Sequence, residues 1–214
     1  LENNCLTLIG SGDIYNFTEK STPWYANRSE VRTLVMSPGI TSIGEYSFQY
    51  CSQLVKVTLS EDLREINHYA FHQCHSLESI ILPNRITFIG ALAFGSCVGL
   101  KSAQLSESLQ LIHNFLFNNC ELLETIKIPK SVKMFGRYSF RWCHSLRSIE
   151  IPDTVYKIGE GCFLDCPRLE SFTFPKSLTN IPHYTFRYCR SLTSITIPSN
   201  IINIEESAFD LCEN

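Results

Sequence analysis

Cysteine and histidine are the residues in this chain that could perform covalent or metal chemistry. The 214 residues include 10 cysteines and 6 histidines, and Cys74-His75 and Cys143-His144 each place a thiol beside an imidazole. Nucleophilic catalysis requires a thiol and an imidazole that converge in a cleft. Structural zinc requires four ligands that converge on one point. Whether the side chains converge depends on the elements that carry them.

Eight of the cysteines recur with a period of 23 residues, and a phenylalanine precedes each of them by three positions. A fixed period of this length is typical of a solenoid, in which each repeat forms one coil. Residues 23 positions apart are therefore expected to lie in columns along the rod. The phenylalanines are Phe48, Phe71, Phe94, Phe117, Phe140, Phe163, Phe186 and Phe209, and the cysteines are Cys51, Cys74, Cys97, Cys120, Cys143, Cys166, Cys189 and Cys212.

A short strand is predicted after each cysteine. In one coil Leu146, Ile149 and Ile151 alternate with polar residues, which is typical of a strand with one buried face. Pro152 follows and ends the strand, because proline cannot donate to the next ladder hydrogen bond. We predict parallel strands from residues 34–36 to residues 195–197, stacked about 4.8 Å apart.

A helical turn is predicted where the periodicity changes. Ser139, Phe140, Cys143 and Leu146 fall at i, i+1, i+4 and i+7, which would place them on one side of a short helix. The predicted fold class is an α/β repeat solenoid of about eight coils, with a parallel β-sheet on one face and short helical turns on the other. Residues 31–214 form this solenoid, and residues 1–30, which break the pattern, are predicted to form an N-terminal cap.

This arrangement decides between the chemistries that the cysteines could perform. An inward column spreads its thiols along the rod, so zinc is not predicted, and parallel Cβ vectors disfavour disulfides. We predict buried free thiols that act as small hydrophobic residues. The thiol of Cys143 would point inward and the imidazole of His144 outward, so no catalytic residue is predicted and the protein is not expected to be an enzyme. The spacing of His68, His72 and His75 could chelate a metal, but no carboxylate or exposed cysteine joins them in that coil, so neither a metal site nor a cofactor is predicted.

Composition excludes other classes of function. The formal net charge of −3 does not favour nucleic acid or an anionic membrane surface as partners. The chain has no apolar run of roughly 18 residues that would form a transmembrane segment, and no signal peptide is visible. We interpret the chain as a fragment whose C-terminal end is truncated within a repeat. Sequons make Asn16 and Asn27 possible glycosylation sites.

The repeat unit resembles that of a known family. The pattern C-x-x-L-x-x-I-x-I-P-x-x-V-x-x-I-G-x-x-A-F-x-x-C, well represented from Cys143 to Cys166, is similar to the 23-residue leucine-rich repeat of the BspA-like family. The segment LTLIGSGDIYNF followed by PWY also resembles the sequence that precedes such repeats. The resemblance implies a cell-surface or secreted protein that adheres to host extracellular matrix proteins, to cell-surface proteins or glycans of the host, or to other microbes.

The helical face of the predicted solenoid is rich in arginine and aromatic residues, which are typical of binding hot spots. We predict that it binds an acidic or sulfated partner and call it the arginine–aromatic patch. The alternative is a solvated surface whose aromatic residues cover the phenylalanines below, and the strand side, rich in serine and threonine, stays open as a binding face. The residues of the patch are Arg137, Arg141, Trp142, His144, Tyr184, Arg187, Tyr188 and Arg190.

A structural role is the second class of function that the sequence leaves open. The protein could act as a spacer without a ligand of its own, or it could self-associate through the edge that follows Cys212. Unpaired strand edges and an uncovered core favour such association.

Overall fold

The apolar alternation after Cys51, Cys74, Cys97 and Cys120 forms parallel ladders along one side of the molecule, which we call the strand face. The computed structural model describes residues 2–212, which form a parallel β-solenoid of about seven turns rather than the eight coils predicted. Two groups of three strands pair within the strand face, each in chain order. Their bounds are Cys5–Leu8, Thr33–Met36 and Lys56–Thr58 in the first group, and Ser79–Ile81, Ser102–Gln104 and Thr125–Lys127 in the second.

The strands predicted in the last three coils do not form ladders in the described residues. Residues 148–150, 171–173 and 194–196 follow the same path without strand pairing. Phe172 stands between Ile149 and Ile195 in its column, and its ring packs against the rings of Phe163 at 5.3 Å and Phe186 at 4.7 Å. The prediction of strands in these three coils is therefore wrong, although Ile149 and Phe172 are buried as predicted.

A second set of parallel strands, which was not predicted, runs along another side of the solenoid as one four-stranded and two two-stranded sheets, together called the second sheet. Its strands coincide with a column of buried apolar residues that includes Ile43, Ile66 and Ile89. Most of them are two residues long, too short for an alternation pattern to reveal. Their bounds are Gly12–Asp13, Ile40–Ile43, Glu65–Ile66, Phe88–Ile89, Leu111–Ile112, Met134–Phe135, Asn180–Ile181 and Asn203–Ile204.

The prediction of short helical turns is wrong. We call the segment between the second sheet and the cysteine of each coil the turn face. In the turn face of residues 136–143, the amides of Tyr138, Phe140 and Trp142 donate to carbonyls of the next coil at 2.9–3.0 Å. The amides of Arg141 and Cys143 donate to the carbonyl three residues back. Because alternate amides donate to the next coil and not within the segment, an α-helical series of hydrogen bonds cannot form. In the described residues, the helix present is the 3-10 helix Tyr25–Glu30.

The eight phenylalanines form one continuous stack through the core. Neighbouring rings lie 5.2–5.8 Å apart with interplanar angles of 5–23°, which is the offset-stacked arrangement that aromatic rings favour. Trp24 continues the stack beyond Phe48 at 5.4 Å, and its indole N–H donates to the carbonyl of Ser47 at 2.7 Å. Seven of the eight rings, from Phe48 to Phe186, are among the largest fully buried side chains, and they lie between the two sheets and the turn face.

The N-terminal segment joins the ladders of the solenoid. Cys5–Leu8 pairs with Thr33–Met36, and Gly12–Asp13 pairs with Ile40–Ile43. Trp24 covers the end of the phenylalanine stack, as expected of a cap. The division into a cap of residues 1–30 and a solenoid of residues 31–214 stays a prediction.

Shortening a phenylalanine within the stack tests its contribution to stability. Phe140→Ala is expected to lower the free energy of unfolding by about 3–5 kcal/mol, because it leaves a cavity between two stacked rings. Tyr156→Ala, at a side chain that is 53% exposed, is the control and should change the free energy by less than about 0.5 kcal/mol. Both are measured by urea unfolding at equilibrium, and equal effects would contradict the assignment of Phe140 to the core.

Candidate functional site

Two residues in each turn face adopt positive φ, and they position the aromatic side chains of the surface. We call these positions the first and second left-handed columns. Aromatic residues at positive φ are unusual, because the side chain crowds its own backbone. The first column holds Tyr46, Tyr69, Leu92, Phe115, Tyr138, Gly161, Tyr184 and Ser207, and the second holds Tyr50, Gln73, Ser96, Asn119, Trp142, Asp165, Tyr188 and Leu211, with φ between 55° and 65° throughout.

Contacts along the columns offset this backbone strain. The rings of Tyr46 and Tyr69 stack with centroids 4.9 Å apart, and those of Phe115 and Tyr138 stack at 5.2 Å. Stacked pairs of this kind contribute about 0.5–1.5 kcal/mol beyond the area they bury. In each turn face, the residue just before the second left-handed position therefore lies between the two left-handed residues.

Arg141 occupies that position in the first half of the patch. Its guanidinium carbon lies 3.6 Å from the ring centroid of Trp142 and 5.7 Å from that of Tyr138. This is cation–π geometry. No carboxylate of residues 2–212 forms a salt bridge with Arg141, so its positive charge is oriented by the rings alone.

Arg187 repeats the arrangement two coils further along. Its guanidinium carbon lies 5.0 Å from the ring centroid of Tyr188 and 5.4 Å from that of Tyr184. Its Nε also lies 3.1 Å from Oδ2 of Asp210, although the pair lacks the alignment of a hydrogen bond. The cluster around Arg187 therefore has the same geometry as the cluster around Arg141, but Asp210 balances part of its positive charge.

Arg137 lies at the edge of the first cluster and is committed to a carboxylate. It forms an ion pair with Glu160 of the next coil, and the Tyr138 hydroxyl donates to the same carboxylate at 2.6 Å. The hydrogen bond from Tyr138 lowers the pKa of Glu160, and the same bond raises the pKa of Tyr138. The sequence pattern predicted that Arg137 is exposed and free to bind a partner, but this ion pair makes it less available.

The structure divides the predicted patch into two groups separated by one coil. Arg137, Arg141, Trp142 and His144 belong to one group, and Tyr184, Arg187, Tyr188 and Arg190 belong to the other. His144 is half-buried and Arg190 is exposed, and each lies two residues beyond the second left-handed column. None of these assignments identifies a ligand, so the patch stays a prediction.

Carboxylates in and around the patch are the residues that the sequence reasoning missed. Glu160 and Asp210 follow their arginine partners by 23 residues, and Asp165 follows Trp142 by the same interval. The column rule would have identified all three, because residues one period apart are neighbours in a solenoid. The patch is therefore a mixture of charges, not a purely basic surface.

The cysteine column is buried and also forms hydrogen bonds. Each thiol from Cys74 to Cys212 in this column donates to the carbonyl of the phenylalanine 26 residues earlier, at 3.1–3.3 Å. Burial raises the pKa of Cys51, Cys97 and Cys162 to about 12. The thiols are free rather than disulfide-bonded, as predicted. They also act as weak donors, which the sequence analysis did not foresee.

Two histidines, His68 and His113, act as hydrogen-bond acceptors within the fold. Nδ1 of His68 accepts the amide of Ala91 at 2.8 Å, and Nδ1 of His113 accepts the amide of Asn114 at 2.9 Å. Each ring must then carry its proton on Nε2, which removes the lone pair that a metal would need. Cys74 is fully buried while His75 is exposed, so this thiol and imidazole do not form a catalytic pair.

Both sequons lie in exposed parts of the N-terminal segment. Oδ1 of Asn16 accepts the amide of Glu45 at 2.9 Å, and Nδ2 of Asn27 donates to Glu30 at 3.4 Å. The acceptor role of Asn16 is compatible with modification, because N-glycosylation uses the amide nitrogen and leaves the carbonyl oxygen in place. Glycosylation at either residue stays a prediction.

Comparison with known proteins supports the fold. A family model described as a BspA type leucine rich repeat region matches residues 21–147 and 110–214 in 6 copies. A leucine-rich repeat protein from Bacteroides ovatus aligns over 86% of this chain with 24% identity and a TM-score of 0.55, and the chain spans 65% of its length. The leucine rich repeat protein of T. pallidum aligns over 67% of this chain and 78% of its own with 23% identity and a TM-score of 0.50.

Other comparisons add less. A leucine rich cell surface protein from Faecalibacterium prausnitzii aligns over 98% of this chain and 79% of its own with 20% identity and a TM-score of 0.43. A search of curated proteins gave no significant match. Within residues 2–212, no helix is long and apolar enough to span a membrane.

Thiol labelling distinguishes the buried column from reactive cysteines. In the native protein at pH 8, a disulfide reagent such as Ellman's reagent is expected to modify at most Cys5 and Cys212, which are half-buried. The other eight of the 10 cysteines should react after unfolding in guanidinium chloride, because the thiolate is the reactive form and burial suppresses it. Rapid native modification of Cys97 or Cys143, located by mass spectrometry, would contradict the burial of the column.

Proposed function

Because the chain belongs to the BspA-type leucine-rich repeat family, we propose that it is a non-enzymatic binding module of a cell-surface or secreted protein. It adheres to host extracellular matrix proteins, to cell-surface proteins or glycans, or to other microbes. Leucine-rich repeat proteins are generally binding scaffolds, and a rigid solenoid offers an extended surface for a ligand. The function therefore depends on which surface residues contact the partner.

The observation that supports this function is the repeated cluster of one arginine between two left-handed aromatic residues. Arg141 and Arg187 hold equivalent positions 46 residues apart, which is two coils or about 9.6 Å at the spacing of parallel strands. Tyrosine, tryptophan and arginine dominate the energetics of known interfaces. Stacking on a ring fixes the guanidinium before binding, so less side-chain entropy is lost when a partner binds.

An acidic or sulfated partner fits these clusters best. A guanidinium that lies over an aromatic face keeps its N–H edge for planar, charge-assisted hydrogen bonds to carboxylate, sulfate or phosphate. The positive charge of Arg141 is not balanced by a neighbour, since no carboxylate of residues 2–212 forms a salt bridge with it. Binding should therefore depend on salt concentration, although only modestly, because Glu160, Asp165 and Asp210 lie close by.

Exchange of both arginines for glutamate tests the proposal. The variant Arg141→Glu with Arg187→Glu is expected to lose at least tenfold in affinity for matrix proteins and sulfated or sialylated glycans that the wild-type protein binds, because repulsion replaces attraction. Affinities are measured by biolayer interferometry at two salt concentrations. The control is Arg147→Glu, which reverses a charge of the same coil on the strand face.

Thermal melting of each variant establishes that the fold is retained. Unchanged binding by the double variant, with the salt dependence of the wild type, would contradict a role for the patch and would favour the strand face. A loss of the same size in Arg147→Glu would show that the net charge of the module, and not the clusters, controls binding.

Self-association is the second candidate function, and the last described coil supports it. Ile202 is 84% exposed and Ile204, in the strand Asn203–Ile204, is 47% exposed. A strand with free backbone groups and exposed isoleucines can pair with another coil, from the same chain or from a second copy.

Sedimentation velocity over a range of concentrations tests self-association. The weight-average mass of the wild-type chain is expected to rise with concentration, and Ile202→Lys with Ile204→Lys should remain monomeric, since lysine blocks edge pairing. Replacing Ile81, which is 69% exposed on the strand face, by lysine is the matched control. A constant monomer mass for the wild type would exclude this role.

A further inference from the structure

The coil between the two arginine clusters differs from its neighbours in both left-handed columns. Gly161 stands between Tyr138 and Tyr184 in the first left-handed column, and Asp165 stands between Trp142 and Tyr188 in the second. The amide of Trp142 bonds to this coil at 3.0 Å, and the amide of Asp165 bonds to the next at 2.7 Å. Trp142, Asp165 and Tyr188 are therefore consecutive members of one column.

One coil separates Trp142 from Tyr188 along the second left-handed column. Their positions are two coils apart, about 9.6 Å at the spacing of parallel strands. In the phenylalanine stack, one six-membered ring occupies each coil, with centroids 5.2–5.8 Å apart. Asp165, which is half-buried like Trp142 and Tyr188, has a short carboxylate side chain where its two neighbours in the column have aromatic rings.

Charge is distributed unevenly around these three residues. Arg137 is paired with Glu160, and Arg187 lies beside Asp210. The guanidinium carbon of Arg141 lies 3.6 Å from the ring centroid of Trp142. Like the exposed Arg190, Arg141 forms no salt bridge with a carboxylate of residues 2–212. The site thus offers one oriented cation for an anion and one carboxylate, Asp165, that can accept hydrogen bonds.

We propose that Arg141, Trp142, Asp165 and Tyr188 form a binding site for a carboxylate-bearing sugar. The guanidinium of Arg141 binds the carboxylate of the sugar through charge-assisted hydrogen bonds. The aromatic side chains of Trp142 and Tyr188 contact the apolar faces of the pyranose ring. Asp165 accepts hydrogen bonds from its hydroxyl groups. The inference rests on the proposed function, because it names the ligand chemistry of the same surface.

The mixed charge of the site favours this ligand over a polysulfate or an acidic peptide. Either of those would bring several negative charges next to Asp165, which forms no salt bridge within residues 2–212, and like charges repel. A sugar with one carboxylate brings a single charge for Arg141 and hydroxyl donors for Asp165. The aromatic residues provide contact area that does not depend on charge.

Calorimetric titration with defined sugars tests the site. The full chain is titrated with sialyllactose and with lactose, and separately with tri-galacturonic acid and its methyl ester. Binding is expected for at least one acid, with the neutral counterpart at least tenfold weaker. The acid that binds identifies the source of the carboxylate as a terminal sialic acid or a uronic acid.

Three variants assign the roles of the residues. Arg141→Gln and Asp165→Ala are each expected to weaken binding of the acidic sugar at least tenfold. Trp142→Asn should do the same, and asparagine suits the backbone because Asn119 occupies the same left-handed column with φ 60°. Arg147→Gln is the control, since it removes the same charge from a residue that pairs with Glu170 on the strand face.

Two results would overturn the inference. One is equal affinity for the acidic and neutral sugars, and the other is full binding by Arg141→Gln. If the wild-type chain binds none of the sugars but binds a matrix protein or heparin in an Arg141-dependent manner, the sugar site is wrong and the proposed function stands. If neither the sugars nor these larger partners bind, both proposals fail.

Discussion

The carbonyl group of each stacked phenylalanine holds consecutive coils in register. The carbonyl of Phe117 accepts the amide of Cys120 from its own coil and the thiol of Cys143 from the next, both at 3.3 Å. The two donors reach one oxygen only if the cysteine follows its phenylalanine by three residues and the next coil begins after a fixed length. An inserted residue would move a thiol from the carbonyl and a ring from the stack together. This constraint explains why the period of 23 residues holds without a slip.

The same register determines the conformation of the surface. Alternate amides of the turn face bond to the next coil, so the chain must turn sharply within each segment, and it does so through two left-handed residues. Aromatic side chains at these positions strain the backbone. They stack on their neighbours and hold the guanidinium groups of Arg141 and Arg187. The backbone geometry that joins the coils therefore also orients the residues that we expect to bind a ligand.

Residue spacing predicted the solenoid but not the course of the chain within a coil. The period placed Phe140 and Cys143 in buried columns because one repeat must match the next, whatever its local structure. The helical turn was wrong because positions i, i+1, i+4 and i+7 also fit two left-handed residues four apart, such as Tyr138 and Trp142. Spacing records which side chains point inward, whereas the choice between a helix and an inter-coil ladder depends on where the amides bond. For a coil within a solenoid, the neighbouring carbonyls decide this choice.

Repetition also explains how a protein with a net charge of −3 can present arginine to a partner. Residues one period apart are neighbours, so a carboxylate in the following coil balances an arginine, as Glu160 does for Arg137 and Asp210 does for Arg187. In the column of Arg141 the following residue is Leu164, and the charge is left to the rings of Tyr138 and Trp142. A substitution in one coil thus changes the partner of a side chain in the coil before it. Selectivity on this surface arises from the order of residues down a column, which net charge and composition do not reveal.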